Sequence, residues 1–329
     1  MSKSRGVKAK LSRLRALRKE AGAAAVVEAR QALADRSNLV VAEAAVLAGE
    51  LKLAELTPDL TAAFERLMID PEESDKLCRG KFAIVQALDK MEHDEPALFL
   101  RGIRHVQFEP VWGGSEDSAA ALRGQCAFAL VRLQYRGVLL LLADLLADEA
   151  KAARAAAAQA LGATGAVAAI PLLRYKVRAG DEDPAVIGEC FTALLGLDPA
   201  ESIPFVAEFL DDHDEGIQEA AAFALGESRR PAALAPLKDF CERTCPGSLQ
   251  EAAFLAMGML RLPAATEFLL SIVAGGEPSP ALAALAALKI QRHNPGVHER
   301  VAAAVDQNSA AAVKTSVTRM RATMRSAGR

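Results

Sequence analysis

The sequence predicts an all-α protein, a right-handed α-solenoid of about eight stacked helix pairs with extra terminal helices. Three observations lead there. A segment ending in Ala-Leu-Gly, or a variant of it, recurs from residue 38 onward at steps of 40, 42, 31, 34, 30, 32 and 31 residues. Within the copies the apolar residues keep helical spacing, as Ile187, Cys190, Phe191, Leu194 and Leu195 do at i, i+3, i+4, i+7 and i+8. Alanine is abundant while aromatic residues make up only 5% of the chain, a composition suited to helices packed at short distance. A period in this range marks a stack of like units, each burying its apolar face against its neighbours. No stretch reads as strand.

The chain opens on a basic helical arm and cap, residues 1–37. Val7, Leu11, Leu14 and Leu17 share one helical face, and Lys and Arg occupy the others. Residues 1–20 carry a net charge of +7 and residues 309–329 a net +5, so the body between them holds −15 of the overall −3. The first reading of the arm is a cap whose apolar edge covers the first unit. A second, less favoured use is contact with an anionic membrane or nucleic acid through Lys10, Arg13, Arg15 and Arg18. A disordered tail is the third.

Residues 38–306 form the repeat solenoid. Its marker segments end at Gly49, Asp89, Val131, Gly162, Gly196, Gly226, Gly258 and Lys289. From the second marker on, the preceding residue is large (Leu88, Leu130, Leu161, Leu195, Leu225, Met257, Leu288). The residue before that is usually alanine, so neighbouring helices can interdigitate. Glycine at 162, 196, 226 and 258 is expected as a helix C-cap. A second helix follows each marker, with Pro171, Pro204 and Pro236 about one turn in, where a missing N–H costs least. Acidic turns at 148–149, 181–183 and 211–215 open the next copies and are expected to cap them.

Two long steps mark insertions. Residues 69–76 read as a solvated acidic turn. Residues 105–118 leave the repeat on a loop that holds the only tryptophan. Phe108, Trp112, Glu116 and Asp117 are the candidate partner-binding residues there, since loops on rigid scaffolds often carry binding. The competing reading folds Phe108 and Trp112 back as a plug for the longer connection. Residues 307–329 are expected to be a basic C-terminal helix and tail.

The order of acidic turn, basic residue, Ala-Ala-x-Ala-Leu-Gly and Pro-punctuated second helix resembles the HEAT-repeat family, in particular the HEAT-like repeats of bacterial proteins of the phycobilin-lyase type. The resemblance covers roughly residues 38–306 and is most specific at the copies ending at Gly162, Gly226 and Gly258. It implies a ladder of basic residues on the turn acids. Lys81, Arg123 and Arg154 hold that phase, but Gly188, Gln218 and Gln250 replace it later, so the later part is expected to rest on packing alone.

Chemistry is sparse by comparison. Cys241-x3-Cys245 lacks the second Cys/His pair a structural zinc site needs. Cys126 and Cys190 sit on apolar faces as small core residues, and five cysteines make no disulfide framework in a chain this long. His213 lies among acids in a turn that reads as solvated. The iron hydroxylases of HEAT-like fold need several His-Glu pairs, whereas this chain has one adjacent pair, His298-Glu299. A body at −15 repels the phosphate backbone that HEAT-like DNA glycosylases bind. The expectation is a cytoplasmic, non-catalytic scaffold or adaptor that binds another protein along one face, with no catalytic residue, cofactor or metal. The alternatives are an accessory subunit of a bilin-lyase-type enzyme, which would rest on fold analogy alone, and an anionic-surface binder acting through the basic ends.

Overall fold

The computed structural model describes residues 2–19, 22–243, 247–275, 277–291 and 294–308. The contacts divide the chain into two units, Met1–Thr164 and Gly165–Arg329. Nineteen α-helices lie among the described residues. Cys245 and the expected C-terminal helix from residue 309 on fall outside them.

Unit 1 holds α1 (Ser2–Leu17), α2 (Ala23–Leu33), α3 (Asn38–Glu50), α4 (Thr57–Leu67), α5 (Pro71–Ser74), α6 (Arg79–Lys90) and α7 (Ala97–Gly102). Strands β1 (Phe108–Val111) and β2 (Gly114–Asp117) follow, then α8 (Ala120–Arg132), α9 (Val138–Leu145) and α10 (Lys151–Ala163). The marker helices α3, α6, α8 and α10 stack in a row, and α4, α7 and α9 back them. Unit 2 repeats the plan with α12 (Pro184–Leu197), α14 (Glu215–Glu227), α16 (Ser248–Leu260) and α18 (Pro278–Leu288) in the row. Behind them lie α11 (Ile170–Ala179), α13 (Pro199–Ala207), α15 (Leu234–Arg243), α17 (Pro263–Gly275) and α19 (Pro295–Gln307).

The core is the one that the alanine–leucine pattern prescribes. Leu88, Leu130, Leu161, Leu195, Leu225, Met257 and Leu288 are all buried, as are Ala87, Ala129, Ala160, Ala224, Ala256 and Ala287. Cys126 and Cys190 are buried with them. Burial pushes the Cys190 thiol up to about 12, far from reactivity. His213 stands exposed in its turn.

The marker glycines have a different role from the expected one. They lie inside their helices, and in six copies a left-handed residue falls three positions after the marker, at Lys52, Glu92, Gln134, Gly165, Arg229 and Arg261, whereas α12 with Gly196 ends without one. In unit 1 the next N–H closes a Schellman turn: Leu53 donates to the Ala48 carbonyl, His93 to Leu88 and Tyr135 to Leu130. What the glycines provide is close approach. A Cβ on Gly49 would lie 2.9 Å from Ala87 Cα, one on Gly226 2.5 Å from the Ala256 carbonyl oxygen, and one on Gly258 2.7 Å from that of Ala287. At these three copies the glycine therefore seats the alanine of the next, backbone to backbone, whereas a Cβ on Gly196 would meet nothing within 4 Å.

The turns mostly follow expectation. Asp183 and Asp214 accept the first free amides of α12 and α14, from Ala185 and Gly216. Pro171 sits in the first turn of α11, but α13 begins at Pro199, so Pro204 lies in its interior. The basic ladder is present where the sequence has it. Lys81 pairs with Asp75, Arg123 pairs with Asp117 and Asp148, and Arg154 donates to the carbonyls of Asp148 and Glu149. Later copies keep some polar ties rather than packing alone: Lys176 reaches Asp181 at 2.7 Å, and Gln218 donates to the Asp212 carbonyl at 2.5 Å.

Candidate functional site

Two expectations about the insertions are overturned together. Residues 105–118 do form strands: β1 and β2 pair antiparallel, Phe108 opposite Asp117 and Val111 opposite Gly114. Trp112 and Gly113 make the two-residue turn, and Gly113 supplies the positive φ, +95°, that such a turn needs. The hairpin does not plug the connection. Trp112 is wholly exposed, and Phe108 and Val111 are about half exposed. The reason lies at its base, where the inward positions are polar and already matched.

That base is assembled from the other insertion. Asp75 is no solvated acid; it is fully buried. Its carboxylate accepts from the amides of Gly80 (2.7 Å) and Lys81 (2.9 Å) at the start of α6 and from Asn38 Nδ2 (3.0 Å), and it lies 3.4 Å from Lys81 Nζ. Lys81, also fully buried, donates to the Leu67 carbonyl at 3.2 Å and to Gln107 Oε1 at 2.7 Å. Gln107 Nε2 donates to the Asp75 carbonyl (2.9 Å) and to Glu109 Oε1 (2.7 Å). Glu109 is the one inward residue of β1 and also accepts from Ser118 Oγ (2.7 Å) and the Leu77 amide (2.6 Å). Breaking a buried pair leaves an uncompensated charge, so this network locks the hairpin in place.

A second cluster holds the other strand. Asp117 accepts from the amides of Gln107 (3.0 Å) and Ala119 (2.9 Å), and Arg123 reaches it at 2.6 Å. Arg123 also grips Asp148 with two parallel bonds, at 2.7 and 2.8 Å, and donates to the His105 carbonyl at 2.9 Å. Burial pushes the Glu109 carboxyl up, but the hydrogen bonds from Ser118, Gln107 and Leu77 and the charge of Lys81 outweigh it and hold it below the usual range. Burial likewise opposes ionisation of Asp117, and the two amides with Arg123 overcome it. Burial, with the charges of Lys81 and Arg123, depresses His105 more than its bond to Gln107 raises it.

The backbone is strained beside this base. Leu77 and Cys78 both take the left-handed conformation, φ 61° and 51°. For non-glycine residues that costs about 1–2 kcal/mol each. Bonds from Leu77 to Glu109 and from Cys78 to the Asp75 carbonyl hold the pair there. One outcome is that the Leu77 side chain is half exposed, in a segment bonded directly to the hairpin base.

The four sequence candidates thus separate. Phe108, Trp112 and Glu116 face solvent, whereas Asp117 is an anchor bound inward. Asp148 is one of the turn acids on which the sequence places the ladder, whereas Asp75, Gln107, Glu109 and Ser118 are not among its candidates. Their signal was the phase of Lys81 and Arg123, two buried cations that each require a carboxylate. The basic arm is matched internally: Lys10 meets Asp35 at 2.5 Å, Arg13 meets Glu28 at 2.7 Å, and Arg15 and Arg18 meet Glu43 at 3.2 and 2.6 Å. Leu14 and Leu17 are buried beneath it, the arrangement of a cap. Among the described residues no group of three or more His, Cys, Asp or Glu is placed to hold a metal ion. No described helix is long and apolar enough to cross a membrane.

No curated protein matches the chain significantly in sequence. Among solved structures it is similar to the complex of CpcE and CpcF of phycocyanin lyase from Nostoc sp. PCC7120, at 23% identity over 73% of this chain and 93% of that one, TM-score 0.38. Human deoxyhypusine hydroxylase in complex with glycerol is similar at 21% identity over 75% and 88%, TM-score 0.31. An engineered protein is similar at 16% identity over 94% and 90%, TM-score 0.36. None of these likenesses bears on what this chain binds. Residues 175–258, from within α11 to within α16, match the family model of HEAT repeats, and across that span the chain carries HEAT repeats.

Proposed function

We propose that this chain is a non-catalytic scaffold that binds another protein, and that the hairpin is its anchor. One observation carries the reading: a wholly exposed tryptophan stands on a turn whose base is fixed by a fully buried Lys81–Asp75 pair. Tryptophan is the residue type most enriched at binding hot spots. A rigid support removes the ordering cost that a mobile loop would incur on association. Phe108, Val111, Val106 and Leu77 add exposed apolar surface from the two insertions, and Glu116 supplies a charged rim. The arm's matched ion pairs favour capping over an anionic-surface role.

The test is site-specific photo-crosslinking in extract of the source cells, with the reactive residue at position 112 and, as control, at the exposed position 175. A discrete product at 112 but not at 175 is expected, identified by mass spectrometry. The partner so identified should bind Trp112→Ala roughly 30-fold more weakly, as hot-spot tryptophans do, and Leu140→Ala as well as wild type. Identical products at both positions, or undiminished binding by Trp112→Ala, would refute the proposal.

A further inference from the structure

We propose a second binding site, in unit 2, for an extended acidic peptide. A groove of about 590 Å³ lies over the C-terminal end of α12 and the turns that follow α14 and α16, with Arg229, Arg230 and Arg261 along it. All three arginines are exposed, and among the described residues none has a side-chain hydrogen bond or ion pair. Lys10, Arg13, Arg15 and Arg18 of the basic arm in unit 1 differ in this respect, since each meets a carboxylate. Leu195, Met259 and Ile290 line the same groove with apolar surface, and Glu227 is its one acid.

The placement follows from the repeat. Arg229 and Arg261 are the left-handed cap residues of consecutive copies, φ 53° and 54°, so the same turn geometry presents both side chains. The equivalent residues in unit 1 are Lys52, Glu92 and Gln134, so a run of arginine is particular to this half. Arg292 has the same offset in the next copy, outside the described residues.

Stacked helices lie about 8–10 Å apart, so cations repeated once per copy are spaced by about that distance. An extended chain in the polyproline II conformation advances about 3.1 Å per residue with three residues per turn, which puts every third side chain on one face and into that register. A peptide with carboxylates at every third position therefore matches the arginines, and apolar residues between them meet Leu195, Met259 and Ile290. Guanidinium groups hold carboxylates well. A nucleic acid fits the same cations less well, because its phosphates follow one another more closely than the arginines and it carries no apolar side chains to meet Leu195, Met259 and Ile290.

The experiment is fluorescence anisotropy on the full chain. The probe is a labelled peptide in which glutamate, leucine and serine repeat in that order, beside its glutamine counterpart and an oligothymidylate. The glutamate peptide should bind and the glutamine peptide should not, with affinity falling as sodium chloride is raised. Arg229→Ala and Arg261→Ala should each weaken binding about fivefold, and Arg230→Glu more. Trp112→Ala should leave it unchanged, which separates this site from the hairpin. The arginines are exposed, so circular dichroism should show every variant folded. Equal binding of the two peptides, undiminished affinity in the arginine variants, or tighter binding of oligothymidylate would each overturn the proposal.

Discussion

Adding one methyl group at Gly226 should destabilise unit 2, against the usual preference of helices for alanine over glycine. In an exposed helix interior, Gly→Ala stabilises by up to about 1 kcal/mol. Here the new Cβ would stand 2.5 Å from the Ala256 carbonyl oxygen and 2.7 Å from its Cα. Comfortable carbon contacts lie at about 3.5–4.0 Å, so α14 and α16 must part by roughly 1 Å. A gap of that size forfeits about a quarter to a half of each contact along the face. Over-packing of this kind costs about 1–3 kcal/mol. Because the obstacle is backbone, the cost should fall in the upper part of that range and exceed the propensity gain, leaving about 1–2 kcal/mol of net loss. Gly196 holds the same phase one copy earlier, yet a Cβ there meets nothing within 4 Å. Gly196→Ala should therefore stabilise, by up to about 1 kcal/mol. Urea denaturation followed by circular dichroism reads both variants. If Gly226→Ala were as stable as wild type, the close-approach role of the marker glycine would be wrong.

Truncating Leu161 or Leu225, both fully buried, to alanine should cost about 2–5 kcal/mol each; urea melts with either variant unchanged would contradict the packing register. Asp75→Ala strands a buried ammonium and two helix amides, and should cost about 3–5 kcal/mol, measured in the same way. Acid should act in two stages. His105 has a lowered value in the fold, so the unfolded chain takes up a proton near pH 6.5 that the fold refuses, and stability falls as pH drops through that value. Glu109 and Asp117 are also lowered; their contribution is complete above the unfolded carboxylate values of about 4 and is lost as pH falls further. Thermal melts of wild type and His105→Asn should differ in the first stage alone, and a first stage that persists in His105→Asn would refute that assignment.

The repeat was legible because its determinants are local and periodic. A leucine beside an alanine at fixed phase says which face is buried, and an aspartate before a helix says where it starts. The role of the glycines was not, because close approach is a property of two helices and sequence shows one at a time. Lys52, Glu92 and Gln134 give no compositional sign of a left-handed cap. The hairpin was missed for a related reason: β1 has an inward glutamate where a strand pattern expects an apolar residue. Asp75 read as a solvated turn acid because the cation that buries it, Lys81, lies on the next helix, and only the ladder phase of Lys81 hinted at the pairing.

Trp112 is the only tryptophan, so its fluorescence reports on the hairpin alone. If the buried base holds that side chain out in water, emission of the folded chain should lie at the fully solvated wavelength, and acrylamide should quench it as efficiently as it quenches free tryptophan. A blue-shifted, quencher-resistant signal from the isolated chain would mean that the indole is folded back into the protein, and the anchor proposed for a partner would not exist.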